Sequence, residues 1–170
     1  MAARLLAWLQ RIIDAVRRRL GLTVPLVPRE PVDVWPIGVV RNNVRDPRPE
    51  GWEKLRSDLI FREELSPALD GIEQYSHIIV IFAFHRVPEE ERTSGKLHPR
   101  GDLSRPLTGV LATRSQLRLS GLGVSVVRLL RRRHNVLRVA GLDAIDGTPV
   151  LDIKPYYPNY DSVPDATFPQ

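Results

Sequence analysis

"LGVSVVRLLRRRHNVLRVAGLDAI", Leu122 to Ile145, decides the fold of this chain. Apolar and polar residues alternate on both sides of the polar stretch "RRRHN", a pattern of period two that predicts two antiparallel strands joined by a turn. The next segment, "GLDAIDGTPVLDIKPYYP" (Gly141 to Pro158), turns again at "DGTP". There aspartate tolerates the bend, glycine supplies a positive φ, and proline re-enters a strand that runs through "TPVLDIKPYYP" and is closed by a further proline.

Working outward, "HIIVIFAFHRV" is a dense β-branched and aromatic run and reads as the buried core strand. "VDVWPIGVVRN" and "TGVLATRS" read as further strands, and "FREELSPALDGIEQYS" as at most a short helix ending near Gly71. "RDPRPEGWEKLRSD" is rich in turn formers and predicts an exposed loop. "PEEERTSGKLHPRGDLSRPL" has no apolar periodicity and predicts a long surface loop carrying Lys96, His98, Arg100 and Arg105. Strands separated by loops, with few helices, predict a mostly β domain, a small closed barrel, rather than a doubly wound sheet.

The 170 residues suffice for one domain with its own core, and 42% hydrophobic with 26% charged residues excludes wholesale disorder. The chain has no cysteine, so disulfides and thiol nucleophiles are excluded and a cytoplasmic setting is expected. A net charge of +5 favours an acidic partner such as RNA or an anionic membrane face. No apolar run approaches the length of a bilayer span. In "MAARLLAWLQRIIDAVRRRLGL", Leu5, Leu9, Ile12, Ile13, Val16 and Leu20 recur at spacings of three and four, with Arg4, Arg11 and Arg18 opposite and Gly21 as a stop. This predicts a basic amphipathic helix that packs on a protein surface in preference to a membrane or RNA. Prolines 25, 28, 31 and 36 then deny helix, so residues 1–31 form a helix and linker and residues 32–170 the barrel domain.

The chain lacks GxGxxG, a Walker loop, HExxH and GxSxG, so dinucleotide, nucleotide, zinc-protease and hydrolase readings have no support. Asp143, Asp146 and Asp152 suggest a magnesium site, but the first two straddle a strand-to-turn junction and the third falls across the hairpin, so no metal is expected. Positions 152, 154 and 156 share one strand face. Asp152, Lys154 and Tyr156 are poor core there, and the face is either an internal Lys154 to Asp152 pairing or the wall of a ligand cavity. His85 ends the core strand, where a histidine is either a satisfied rim residue or a ligand contact. Arg114 follows an apolar stretch, and its fork suits a carboxylate of the protein or of a bound amino acid.

Taken in order, "IGVVRN", "GIEQYSHIIVIFAFHRV", "HPRGD", "GVLATRS" and "NVLRVAGLDAIDGTPVLDIKPYYP" resemble the TrmO (TsaA-like) family of S-adenosylmethionine-dependent tRNA methyltransferases, from about Ile37 to Ala166. The resemblance implies a small β-barrel acting as a homodimer, with the cofactor near the subunit interface. It also implies methylation of N6 of threonylcarbamoyladenosine beside the anticodon of tRNA. The alternative is a divergent module that binds S-adenosylmethionine or RNA without transferring the methyl group.

Carried over by motif position, the cofactor site involves Arg48 and Pro49 of the early loop, His85, Arg114 and Val124, together with Ala140, Gly141, Leu142 and Asp143 of "AGLD". Arg114 is expected to clamp the methionine carboxylate, and Asp143 to accept hydrogen bonds from the amino or ribose groups. Arg118 is a candidate for substrate contact, Lys154 and Tyr156 for contact with the cofactor or the modified base, and Asp143 and Asp146 for the proton acceptor. One departure stands out. Where the family typically reads R-P-N-P-I-G after "TRS" and a spacer, this chain has Arg118-Leu119-Ser120-Gly121-Leu122-Gly123, which predicts a looser loop. The resemblance leads us to expect that the additional C-terminal RNA-binding domain of some relatives is missing and that "RLLRRRHN" or the N-terminal helix supplies RNA contacts instead.

Overall fold

The computed structural model describes residues 12–13, 15–17, 19–21, 32–48 and 50–168. The chain divides into two compact units, Met1–Asp33 and Val34–Gln170. In the first, Ile12, Ile13, residues 15–17 and Arg19 are helical. Most of the amphipathic helix expected over Leu5 to Leu20, and the prolines at 25, 28 and 31, lie outside the described residues. Among the described residues no helix is long and apolar enough to cross a membrane.

The second unit is a closed barrel of six antiparallel strands. They are β1 (Gly38–Arg41), β2 (Arg56–Phe61), β3 (His77–Ala83), β6 (Leu122–Arg133), β7 (Val136–Ala140) and β8 (Pro149–Pro155). A separate two-stranded pair, β4 (Lys96–Leu97) with β5 (Thr108–Gly109), lies within the long loop. Around the barrel the order is β1-β2-β7-β6-β3-β8, so β8 closes back on β1.

Alternation fixes the inward set. Ser57, Leu59 and Phe61 of β2, Ile78, Val80 and Phe82 of β3, and Leu137 and Val139 of β7 are all buried. With Val40, Val127, Leu142 and Val150 they fill the interior, as the narrow bore of a six-stranded barrel requires. Gly123 is directly opposite Phe82 in the β3–β6 register. It leaves room for a ring that would meet an added Cβ at 2.3 Å.

The β6–β7 hairpin turns at His134, with φ +51°, and Asn135, whose side-chain amide donates to the Phe61 carbonyl. A bulge between Leu129 and Arg131 shifts the register, so Arg131 opposes Arg138 and Arg132 opposes the inward Leu137. Arg132 is therefore not the solvent-facing RNA contact expected of "RRRHN". It is 15% exposed, donates to the Ser66 carbonyl, and lies 2.7 Å from Asp70 and 3.5 Å from Glu73, closing one end of the barrel.

Two expectations fail. "TGVLATRS" is not a barrel strand: β5 ends at Gly109 and Val110–Ala112 form a 3-10 turn. Thr113 Oγ1 donates to the Val110 carbonyl and accepts from the Ser115 amide, while Ser115 Oγ accepts from the Leu117 amide, so local hydroxyl bonds take the place of a ladder. Conversely, the loop expected over "RDPRPEGWEKLRSD" ends as strand, since β2 begins at Arg56. Its Arg56 and Asp58 face outward and mask the alternation. "FREELSPALDGIEQYS" forms a 3-10 helix, Glu63–Leu69, with Pro67 inside it, and Gly71 at φ +89° stops it as expected.

On the outer face Asp58 receives two hydrogen bonds from Arg138, at 2.7 and 2.6 Å. The Arg138 hydrogen bond, against the opposing effect of burial, holds the Asp58 pKa below its ordinary value of 3.8. A carboxyl whose folded pKa lies below its unfolded one stabilises the fold above the unfolded value, and that stabilisation disappears as pH falls through the folded value. Urea midpoints of wild type and Asp58→Asn should therefore differ at pH 7 and converge below pH 3.8. A constant difference down to pH 2 would remove the ion pair as its cause.

Candidate functional site

One rim of the barrel gathers the C-terminal ends of β1, β3 and β7 with the beginnings of β6 and β8, as the antiparallel registers require. The segment after β7, Gly141 to Gly147, crosses this rim. Gly141 takes φ +89° and Gly147 φ +81°, turns that a Cβ would strain. The Gly141 amide donates to Leu55, Asp146 to Val44 and Gly147 to Val40, at 3.0, 2.7 and 2.9 Å, so the crossing is fixed by backbone bonds.

The crossing matters because β6 pairs with β7 only from Arg128 onward. The first half of β6 is paired with β3 alone, and side chains from elsewhere reach its other side. Arg114 Nη2 donates to the Val124 carbonyl at 2.6 Å, and Ser125 Oγ donates to Asp143 Oδ1. Three predicted positions, Arg114, Val124 and Asp143, thus come together around two consecutive residues of β6. Ala140 ends β7 beside them, with Gly141 half-buried and Leu142 fully buried, so the "AGLD" segment offers Asp143 outward while Leu142 anchors it in the core.

His85 follows β3 on the same rim, with its Nε2 3.9 Å from where a Cβ at Gly147 would stand. Partial burial of the ring, and then the charge of Arg86, lowers its pKa. The imidazole is accordingly neutral at pH 7, able to accept as well as donate a hydrogen bond.

The two candidate acids are held differently. Asp146 Oδ1 accepts from the Asn42 amide at 3.1 Å and Oδ2 lies 3.6 Å from Arg41 Nη1. Asp143 is exposed and has Ser125 as its partner. Asp152 is paired with Lys154 at 2.7 Å, so the three carboxylates of the turn region go to three different partners. Among the described residues no group of three or more His, Asp or Glu is placed to hold a metal ion.

Other expected contacts lie apart from this cluster. Arg48 is occupied in its own loop: it donates to the Gly51 carbonyl at 2.7 Å and stacks 4.9 Å from the Trp52 ring centroid. Pro49 lies outside the described residues. Lys154 opposes Ile79 in register, and Tyr156 packs edge-on to His77 at 6.4 Å, toward the end of β3 remote from His85. Hydrogen bonding to Asp152, then its charge, raises the Lys154 pKa and keeps it an ammonium. The internal pairing is thus what the structure shows for this face, and Lys154 and Tyr156 do not join the Arg114–Asp143 cluster within one chain.

Arg118 is folded back, its Nε donating to the Ser115 carbonyl at 3.2 Å and its Nη2 to that of Thr113 at 2.5 Å. The loop that follows is tied down: Thr93 donates to Leu117, Gly121 to Arg118 and Phe84 to Gly121, at 2.8, 3.0 and 2.8 Å. Gly121 has φ +59°, which proline cannot adopt, and an added Cβ would stand 2.9 Å from the Arg92 guanidinium carbon. The sequence departure is thus a different backbone path, anchored by hydrogen bonds, rather than simply fewer restraints. Nothing near Arg92 in "EEERTSG" announces that its guanidinium, which donates to the Val87 carbonyl at 3.4 Å, packs beside Gly121.

Comparison with known proteins bears directly on this rim. The family described as tRNA-methyltransferase O N-terminal domain matches residues 41–162, which include the cluster just described. The chain belongs to this family. It is 38% identical over 136 residues to a "Probable S-adenosyl-L-methionine-binding protein" of Methanothermobacter thermautotrophicus, covering 78% of this chain and 95% of the relative. It is 36% identical over 143 residues to the "tRNA (adenine(37)-N6)-methyltransferase" of Escherichia coli, covering 77% of this chain and 60% of that one. A crystal structure of TrmO superposes with a TM-score of 0.67 at 38% identity, over 82% of this chain and 64% of the solved one. The chain thus spans less than two thirds of the Escherichia coli enzyme and of the solved TrmO chain.

Proposed function

We propose that the protein is an S-adenosylmethionine-dependent tRNA methyltransferase that acts on N6 of threonylcarbamoyladenosine in the anticodon loop. The observation that carries this reading is the Arg114–Val124 and Ser125–Asp143 cluster on the rim of a barrel of this family. The donor set fits the cofactor chemically. Arg114 has donors left over from Val124 for a carboxylate, Asp143 offers an acceptor for ammonium or ribose groups, and the exposed Leu122 and Val124 offer apolar surface to a flat base.

When bound, S-adenosylmethionine supplies a sulfonium methyl whose transfer to N6 leaves a neutral thioether. The residues of the chain have to orient the two reactants and take the N6 proton, since the amide-like nitrogen is a weak nucleophile. Of the two candidate acceptors, Asp146 anchors the segment after β1 through Asn42 and Arg41, whereas Asp143 is the carboxylate left open to a ligand. The target lies in a single-stranded loop, where an unstacked base can enter a pocket without opening a duplex.

We also place the protein in the cytoplasm as a homodimer. Leu122, Val124 and Val126 are 40%, 43% and 51% exposed and alternate on the outer face of β6, beside the outward Ile79 and Ile81 of β3. An apolar sheet face of this kind favours a partner. A second copy would bring another chain's side chains to the Arg114–Asp143 cluster, which has solvent on one side.

A second reading, a module that binds the cofactor without transfer to tRNA, is favoured by one observation. Gly121 follows a path closed to the proline that the family pattern has at this point. Incubation with S-adenosylmethionine and tRNA carrying the threonylcarbamoyl group, followed by nucleoside mass spectrometry, separates the two. The expected result is a methylated threonylcarbamoyladenosine; unchanged nucleosides with calorimetric cofactor binding would select the second reading. Sedimentation of the same sample only as monomer would reject the dimer.

A further inference from the structure

We propose that the outer face of β1, β2, β7 and β6 binds the phosphates of the RNA strand and leads that strand to the Gly141–Gly147 segment. The proposal rests on the tRNA reading above and assigns it a surface. Register creates this surface. Arg41 opposes Asp58, Asp58 opposes Arg138, and Arg138 opposes Arg131, a row across four strands that spans about 15 Å at the usual strand spacing. In the neighbouring row Arg56 and Arg128 flank Ala140 from either side.

Directly opposed like charges destabilise a sheet, so Arg131 against Arg138 is a local cost unless an anion offsets it. Asp58 offsets part of it, but both its oxygens are committed to Arg138. Lys54, Arg56, Arg128 and Arg131 are exposed and have no carboxylate within ion-pair distance among the described residues. Part of the face is recessed: Arg41, Asn42, Lys54, Arg56, Asp58 and Arg138 line an open groove of about 510 Å³, with Arg128 and Arg131 outside it.

Position selects RNA over an anionic bilayer. The groove adjoins the rim: Asn42 Nδ2 donates to the Ala144 carbonyl at 2.9 Å, the Gly141 amide to Leu55 at 3.0 Å, and Arg41 lies 3.6 Å from Asp146. A strand held in it arrives where the target base is needed. Surface binding to a bilayer uses apolar side chains beside the cations; among the described residues no large apolar side chain of β1, β2 or β7 is exposed, and of those exposed on β6, Leu122, Val124 and Val126 precede the half paired with β7, which leaves Leu130 alone beside the arginines.

The test compares the full chain with its Lys54→Gln/Arg56→Gln/Arg131→Gln variant, all three being surface positions. Affinity for tRNA is measured over a series of salt concentrations, with S-adenosylmethionine affinity as the check that the variant is folded. Each lost phosphate contact should reduce the slope of log affinity against log salt by about 0.7–0.9, so the variant should lose roughly 2 units of slope and bind at least about tenfold more weakly at physiological salt. Wild-type tRNA binding with an unchanged slope and affinity in the variant would overturn this surface and leave the methyltransferase reading standing. A wild-type protein that binds no tRNA at low salt would overturn both. Binding to phosphatidylglycerol vesicles that depends on these three residues, without tRNA binding, would assign the face to membranes and overturn the proposal.

Discussion

Replacing Gly123 by alanine is expected to lower the stability of the barrel by about 3 kcal/mol, the upper end of what overpacking costs. The added methyl would stand 2.3 Å from Cε2 and 2.4 Å from Cζ of Phe82, far inside contact distance. The ring has little room to yield. Phe82 is 2% exposed and lies edge-on to Phe84 at 5.6 Å, within a core that also holds Ile78, Val80 and Val150. Relief by backbone movement would separate β6 from β3 at the point where the registers Ile81–Val124 and Phe82–Gly123 build the rim. Urea denaturation of the variant measures the loss. The double variant Gly123→Ala/Phe82→Leu should be more stable than Gly123→Ala alone, since leucine vacates the space that the methyl needs. A Gly123→Ala protein as stable as wild type would show that the ring moves freely and that close packing does not explain this glycine.

The barrel was legible where apolar alternation was long or dense. The strand at Ile78 to Phe82, the hairpin around "RRRHN" and the strand after "DGTP" all form as their patterns predict. Legibility failed where local chemistry and tertiary pairing compete. β2 is six residues long and carries Arg56 and Asp58, which look like loop residues until Arg138 is known to lie opposite. Thr113 and Ser115 resemble strand residues, yet their hydroxyls satisfy the backbone within the loop. The "RRR" run shows the limit most directly. Composition treats three arginines alike, whereas one bulge turns Arg132 inward to Asp70 and leaves Arg131 outward. Of the candidate site, Arg114, Val124 and Asp143 were legible through the family motifs, and their meeting point needs the unpaired half of β6. That Lys154 and Tyr156 share a face was readable from period two alone, but which side of the barrel the face occupies depends on the closure of β8 onto β3 and β1.

Arg114→Ala is expected to weaken S-adenosylmethionine binding by roughly 10–100-fold, because a hydrogen bond to a charged group contributes about 1.5–3 kcal/mol. The geometry makes the arginine specific. With Nη2 donating to the Val124 carbonyl at 2.6 Å, one nitrogen of the guanidinium is held on β6 while its other donors stay available to a carboxylate. Lysine keeps the charge but has no rigid fork to hold the carbonyl and a carboxylate together, so Arg114→Lys should recover only part of the affinity. Isothermal titration with decarboxylated S-adenosylmethionine tests the assignment at the level of the atom. Wild type should bind that analogue about as weakly as Arg114→Ala binds the intact cofactor, and the variant should no longer distinguish the two ligands. Equal cofactor affinity in wild type and Arg114→Ala would reject the clamp. A variant that weakens both ligands by the same factor would also reject it, and would leave Arg114 as a residue that only secures the unpaired side of β6.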